Sequence, residues 1–211
     1  MFTDIDLTNY KGVLLDLDDT IYLYDSCHQV GKKAMLDLLC DSFSIPLEEA
    51  NLHYRAAREK VHMNLDGHAA SHSRLLYAKY MIEEIADDFQ AQLALDLEEA
   101  YWSVFLSIME IHPKALLFLD LCKNQNKKIA IVTDLTTQIQ LRKFEKLRLG
   151  KWVDYLVTSE EAGVEKPASK PFKMALAKLQ LTAGQVVMVG DSLSKDKQGA
   201  ENLGIDWFHP F

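Results

Sequence analysis

No stretch of the 211-residue chain approaches the ~20 consecutive apolar residues that a membrane-spanning helix needs. Cysteine is scarce: Cys27, Cys40 and Cys122 form neither a CxxC pair nor an even set, which argues against a disulfide scaffold and leaves all three as structural thiols. His53 and His62 lack the i,i+4 spacing of a helical zinc site. Positive charge is also short, with 23 Lys and Arg against 31 Asp and Glu and a net charge of -8, so a polyphosphate backbone is repelled and nucleic acid is not an expected partner. Residues 1–12 carry acids where a signal peptide needs bases, and the chain reads as a cytoplasmic protein with no membrane association. There is no internal repeat and no low-complexity segment.

What is present is an ordinary globular composition, 48% hydrophobic and 26% charged, on a length that fits one domain with an insertion as well as two domains. Residues 12–16 form a short apolar run that ends on an acidic cluster, the pattern of a strand buried on both faces. From about residue 30 to residue 109 the spacing turns helical, as in Ala34/Leu38, Leu75/Ile82/Ile85 and Leu97/Tyr101/Val104/Ile108. Past Pro113, helices expected over 116–122, 137–147, 172–179 and 197–203 alternate with strands expected over 129–132, 153–157, 185–189 and 205–208. Such alternation predicts an α/β fold, a parallel-sheet core interrupted after its first strand by an all-helical insertion.

Ligands in open α/β sheets bind at the carboxyl ends of the strands, and three expected strands end on polar residues: Asp16-Leu17-Asp18-Asp19-Thr20, Thr133-Asp134 and Gly190-Asp191-Ser192. Two carboxylates at i and i+2, Asp16 and Asp18, suit a nucleophile and a proton shuttle, or a pair of metal ligands; the same residues also read as an acidic turn. Asp191 can complete a hard-cation site with Asp16, whereas Asp196 reads equally as a first-turn acid facing a helix dipole. Taken without their surroundings, Lys166 reads as a surface lysine and Thr133 as a strand-end hydroxyl satisfying local backbone.

These segments together resemble the haloacid dehalogenase superfamily, and the resemblance spans essentially the whole chain. DLDDT matches the first motif, Thr133 in IVTD the second, Lys166 in EKPASKPF the third, and GDSLSKD the fourth. The resemblance implies a Rossmann-like catalytic core over residues 1–23 and 111–211 and a helical cap of the first subclass over 24–110. It implies Asp16 as nucleophile, Asp18 as general acid/base, Thr20 as their support, and Thr133 and Lys166 as ligands of the transferred phosphate. It also implies Mg²⁺ held by Asp16, the backbone carbonyl of Asp18, and Asp191, with Asp196 holding Lys166 or a metal-bound water. Ser169 stands where a second proline is common, Lys170-Pro171 offers a competing lysine, and Asp134 occupies a place often taken by Asn.

The implied activity is Mg²⁺-dependent hydrolysis of a small phosphomonoester, of the sugar phosphate, phosphoglycolate or nucleotide type, through an aspartyl-phosphate. Asp18 argues against dehalogenation and phosphonate hydrolysis, which do without that acid. A phosphomutase keeps both aspartates and stays open, as does a non-catalytic module binding a phosphorylated ligand or a partner protein. The expected partner is a small phosphorylated metabolite, and monomer and homodimer are both compatible. Within the insertion, residues 66–74 form a polar break in which His68, His72 and Arg74 are candidates for substrate contacts; an ordinary interhelix turn capped by Ser71 or Ser73 fits equally.

Overall fold

The computed structural model describes residues 2, 5–88 and 90–211. Five parallel strands form one sheet: β1 (Gly12–Leu15), β2 (Lys128–Thr133), β3 (Tyr155–Thr158), β4 (Val186–Val189) and β5 (Asp206–Phe208). Their spatial order is β3-β2-β1-β4-β5, so the chain fills one side of β1 first and then crosses to the other. In register, Leu15 lies beside Ile131 of β2 and Val189 of β4. The topological reversal therefore falls at the carboxyl end of β1, where open α/β sheets hold their ligands.

The sheet forms because its central strands are apolar on both faces. Leu14, Ala130, Val132, Val157 and Met188 pack with Phe172, Ala175 and Leu179 of helix α8 (Ser169–Leu179) in one buried cluster. Val13, Leu15, Ile129, Ile131, Val187 and Val189 alternate with them, are equally buried, and face the opposite side. The connections include α5 (Pro113–Asn124), α6 (Thr137–Lys146), α7 (Ser159–Ala162) and α9 (Gln198–Glu201). Pro113 at the first turn and the His112 side chain, which accepts from Lys114 N, start α5 three residues earlier than the apolar pattern indicates. Val153 belongs to the turn before β3 and not to the strand, because its N–H bonds back to Leu149 O. The last expected helix divides: Leu193–Lys197 is a π-helical turn that continues into α9.

The chain divides into two compact units: residues 1–24, 67–69 and 110–211, and residues 25–66 and 70–109. The second contains most of α1 (Tyr24–Phe43), α2 (Leu47–Leu65), α3 (Arg74–Ile85) and α4 (Ala91–Ser107). Its core follows helical spacing, with Met35 and Leu39, Tyr54 and Val61, Tyr77 and Met81, and Tyr101 and Phe105 buried. A Cβ at Gly31 would stand 2.9 Å from Tyr101 O, so glycine is what lets α1 approach α4 this closely. No helix among the described residues is long and apolar enough to cross a membrane.

Candidate active site

Beyond Leu15 the backbone leaves the sheet. Asp16 N still donates to Val189 O at 3.0 Å, but Asp19 adopts a left-handed backbone (φ 53°) and its Oδ1 accepts from Tyr24 N. This turn presents Asp16, only 6% exposed, and Asp18 at the end of the central strand. Thr20 approaches Asp16 Oδ2 at 3.5 Å.

Lys166 comes to the same point from the loop after α7. Its Nζ donates to Asp16 Oδ1 at 2.5 Å, to Asp196 Oδ1 at 2.7 Å and to Val132 O at 3.0 Å, so its three protons are all engaged. Lys170, the competing lysine, is exposed in the first turn of α8. Asp196 is fully buried; its Oδ2 accepts from Ser192 N, and a side chain at Gly190 would collide with it. Thr133, at the end of β2, accepts at its Oγ1 from Gln140 Nε2 at 2.7 Å.

Asp16, Asp191 and Asp196 each offer a carboxylate oxygen, and these atoms lie within 4.8 Å of one another. Three carboxylates face one ammonium, which leaves a surplus of negative charge. Burial pushes Asp16 well above the usual carboxylate range; Lys166 pulls against it, and Asp196 and Asp18 push it further up. Burial, then Asp196 and Asp19, raise Asp191 as well. For Lys166, burial favours the neutral amine, but Asp16, Asp196 and Asp134 outweigh it and hold the ammonium. An all-oxygen, carboxylate-rich set of this kind fits a hard divalent cation, whose charge offsets the surplus.

Five polar residues that the motifs do not single out complete the surroundings: Tyr22, Gln140, Lys143, Glu165 and Lys195. Lys143 of α6 is fully buried and donates to Asp18 Oδ1 at 2.8 Å and Oδ2 at 2.9 Å, while Tyr22 Oη donates a short hydrogen bond to Oδ1. Burial would raise Asp18, yet the Lys143 ammonium beside it brings the carboxyl below its ordinary range. Gln140 and Lys143 are three residues apart, so one face of α6 serves both Thr133 and Asp18. The available sequence signal was their place on the inner face of an amphipathic helix. Lys195 bridges Asp134 Oδ2 at 2.8 Å and Glu165 Oε2 at 3.1 Å, and Asp134 Oδ1 accepts from Lys166 N at 3.1 Å. Asp134, the departure from the commoner Asn, thus has a charged partner of its own.

The three residues expected to contact substrate from the insertion have different surroundings. His68 is exposed in the segment 67–69, which groups with the sheet and whose Gly67 O accepts from Glu165 N at 3.0 Å. His72 meets His62 edge to face, with ring centroids 4.8 Å apart. Arg74 is buried in the helical unit, donating to His72 O and Tyr101 Oη and lying over the rings of Tyr77, Tyr101 and Trp102.

The sequence model of the haloacid dehalogenase-like hydrolases matches residues 10–204. The chain belongs to this family. Among similar proteins, ribulose-1,5-bisphosphate 5-phosphatase of Halopiger xanaduensis is 43% identical over 92% of this chain and 82% of its own length. Glyceraldehyde 3-phosphate phosphatase of Methanocaldococcus jannaschii is 26% identical over the same shares, 92% and 82%. Among solved structures, a 2-haloacid dehalogenase from Pseudomonas syringae superposes with a TM-score of 0.78 at 23% identity, covering 94% of this chain and 85% of that one. That structural likeness establishes the fold of this haloacid dehalogenase-like hydrolase.

Proposed function

We propose that this hydrolase is a Mg²⁺-dependent phosphatase of a small phosphomonoester, acting in the cytoplasm, with a phosphorylated sugar as its substrate. The observation that carries the reading is the convergence of Asp16, Lys166 and Asp196 at the end of the central strand, with Asp18 on the turn that follows. The 43% identity to a ribulose-1,5-bisphosphate 5-phosphatase favours a sugar phosphate, and a bisphosphorylated ketopentose in particular.

In this mechanism Asp16 attacks phosphorus, and its new O–P bond forms as the bond to the leaving oxygen breaks. Asp18 gives its proton to the leaving oxygen, then takes one from the water that hydrolyses the aspartyl-phosphate, so each turnover returns the proton it used. Lys166 and Thr133 bind the phosphate oxygens, a phosphate oxygen replacing one of the present acceptors of Lys166. Asp16, Asp191 and the backbone carbonyl of Asp18 hold Mg²⁺, which supplies charge neutralisation at the transferring group. Asp196 keeps Lys166 in place. We assign substrate choice to the helical insertion, acting as a cap.

The test is phosphate release from ribulose 1,5-bisphosphate, glyceraldehyde 3-phosphate, ribose 5-phosphate, phosphoglycolate and a nucleoside monophosphate, with Mg²⁺ or with EDTA. Metal-dependent release with phosphorylated sugars ranked first is the expected result. Absence of release from every member overturns the reading, and transfer of phosphate to a second sugar hydroxyl replaces it with a mutase.

A further inference from the structure

Lys143 is a fully buried lysine whose Nζ reaches both oxygens of Asp18. Such burial is costly unless the ammonium is paired, and the partner here is the residue read above as the acid/base. Asp18 itself keeps 32% of its side chain exposed, so it is anchored from the protein side and open on the other. The two oxygens are not equivalent. Among the described residues, Oδ1 receives Lys143 Nζ and Tyr22 Oη, whereas Oδ2 receives Lys143 Nζ. The Lys143 ammonium favours the carboxylate in the free enzyme; a phosphate dianion beside it favours the protonated form, and Oδ2, with one donor against two at Oδ1, is the oxygen open to that proton.

We propose that Lys143 is a positioning residue for leaving-group protonation, anchoring Asp18 so that Oδ2 meets the leaving oxygen. The proposal rests on the phosphatase reading, with Asp18 as acid/base. When the P–O bond to the leaving group breaks, the proton on Oδ2 moves to that oxygen and the Asp18 carboxylate is left facing the Lys143 ammonium. When water later attacks phosphorus and releases Asp16, a water proton returns to Oδ2. Lys143 keeps its own protons throughout. Helix α6 gives this contact a rigid base, because Gln140 on the same face is fixed to Thr133 and to Asp134 O.

A merely structural lysine and a positioning one differ in how their loss depends on the leaving group. An alkyl alcohol needs a proton to depart, whereas the nitrophenolate of p-nitrophenyl phosphate does not. The experiment compares kcat/KM for the best alkyl phosphate of the panel above and for p-nitrophenyl phosphate, in wild type, Lys143→Met, Asp18→Asn and the double variant. General acid catalysis is worth about 10²–10⁴-fold, so Lys143→Met is expected to lose at least about 10²-fold on the alkyl ester and under about tenfold on the aryl ester. The double variant is expected to be no slower than Asp18→Asn alone. Equal losses on both esters, or losses that multiply in the double variant, overturn the proposal. If Lys143→Met does not fold, Tyr22→Phe removes the other donor to Oδ1 and is read by the same ratio: a larger loss on the alkyl ester supports the anchoring, and an unchanged ratio overturns it. Should Asp18→Asn leave alkyl ester hydrolysis intact, the acid/base assignment fails instead, and the two failures are distinguishable.

Discussion

Lys166 stands between two buried carboxylates, 2.5 Å from Asp16 Oδ1 and 2.7 Å from Asp196 Oδ1. Removing its ammonium leaves both acids in a buried site without their cation, and breaking a buried pair in this way costs about 3–5 kcal/mol. Lys166→Met is expected to lose that much stability in urea unfolding with EDTA present. A loss under about 1 kcal/mol, the range of an exposed pair, contradicts the buried pairing.

The surplus of acids over bases at this site predicts that metal stabilises the fold without any substrate. Mg²⁺ at a hundredfold excess over its Kd is expected to add about 2.7 kcal/mol, and Asp191→Asn is expected to lose most of that gain. Thermal unfolding with and without Mg²⁺ reads it. Midpoints that do not respond to Mg²⁺ contradict the donor set.

Much of this architecture was legible in the sequence because it follows from apolar periodicity. The runs around Val13, Ile131 and Val187 announce strands buried on both faces, and each is followed by the polar residues that meet at the site. Lys195 was not legible and Lys143 was marked only by its place on the inner face of α6, since a lysine in a helix or turn reads as a solvated side chain until its partner is known. Asp18 lies 125 residues from Lys143, and Asp134 lies 61 from Lys195. Pairs so distant in sequence are set by the sheet order and not by local pattern. The boundaries that moved, at Pro113, Val153 and Lys197, lie at element ends, where capping and backbone hydrogen bonds outweigh side-chain polarity.

Lys195 links Asp134 to Glu165, and Asp134 also holds Lys166 N. Its ammonium is favoured despite burial because both carboxylates face it. A double-mutant cycle of Asp134→Asn and Lys195→Met is expected to show coupling of about 0.5–3 kcal/mol in stability. Additive effects contradict a direct pair.

His28 shares its Nδ1 with Tyr101 Oη at 2.7 Å, and burial, reinforced by Arg74, lowers its pKa to about 4. The unfolded value is near 6.5, so between these limits the unfolded chain binds the extra proton and stability falls as pH drops from about 6.5 to about 4. NMR titration of the ring is expected to show a neutral His28 at pH 5.5, and His28→Asn is expected to reduce the slope of stability against pH in this window. A midpoint near 6.5 contradicts the buried, neutral ring.

The aspartyl-phosphate route through Asp16 is tested most directly by phosphate release from the best substrate with Mg²⁺, comparing wild type with Asp16→Asn. The account predicts a loss of at least about 10³-fold in the variant, since an amide at this position cannot form the acyl-phosphate intermediate. Turnover by Asp16→Asn within about tenfold of wild type contradicts it.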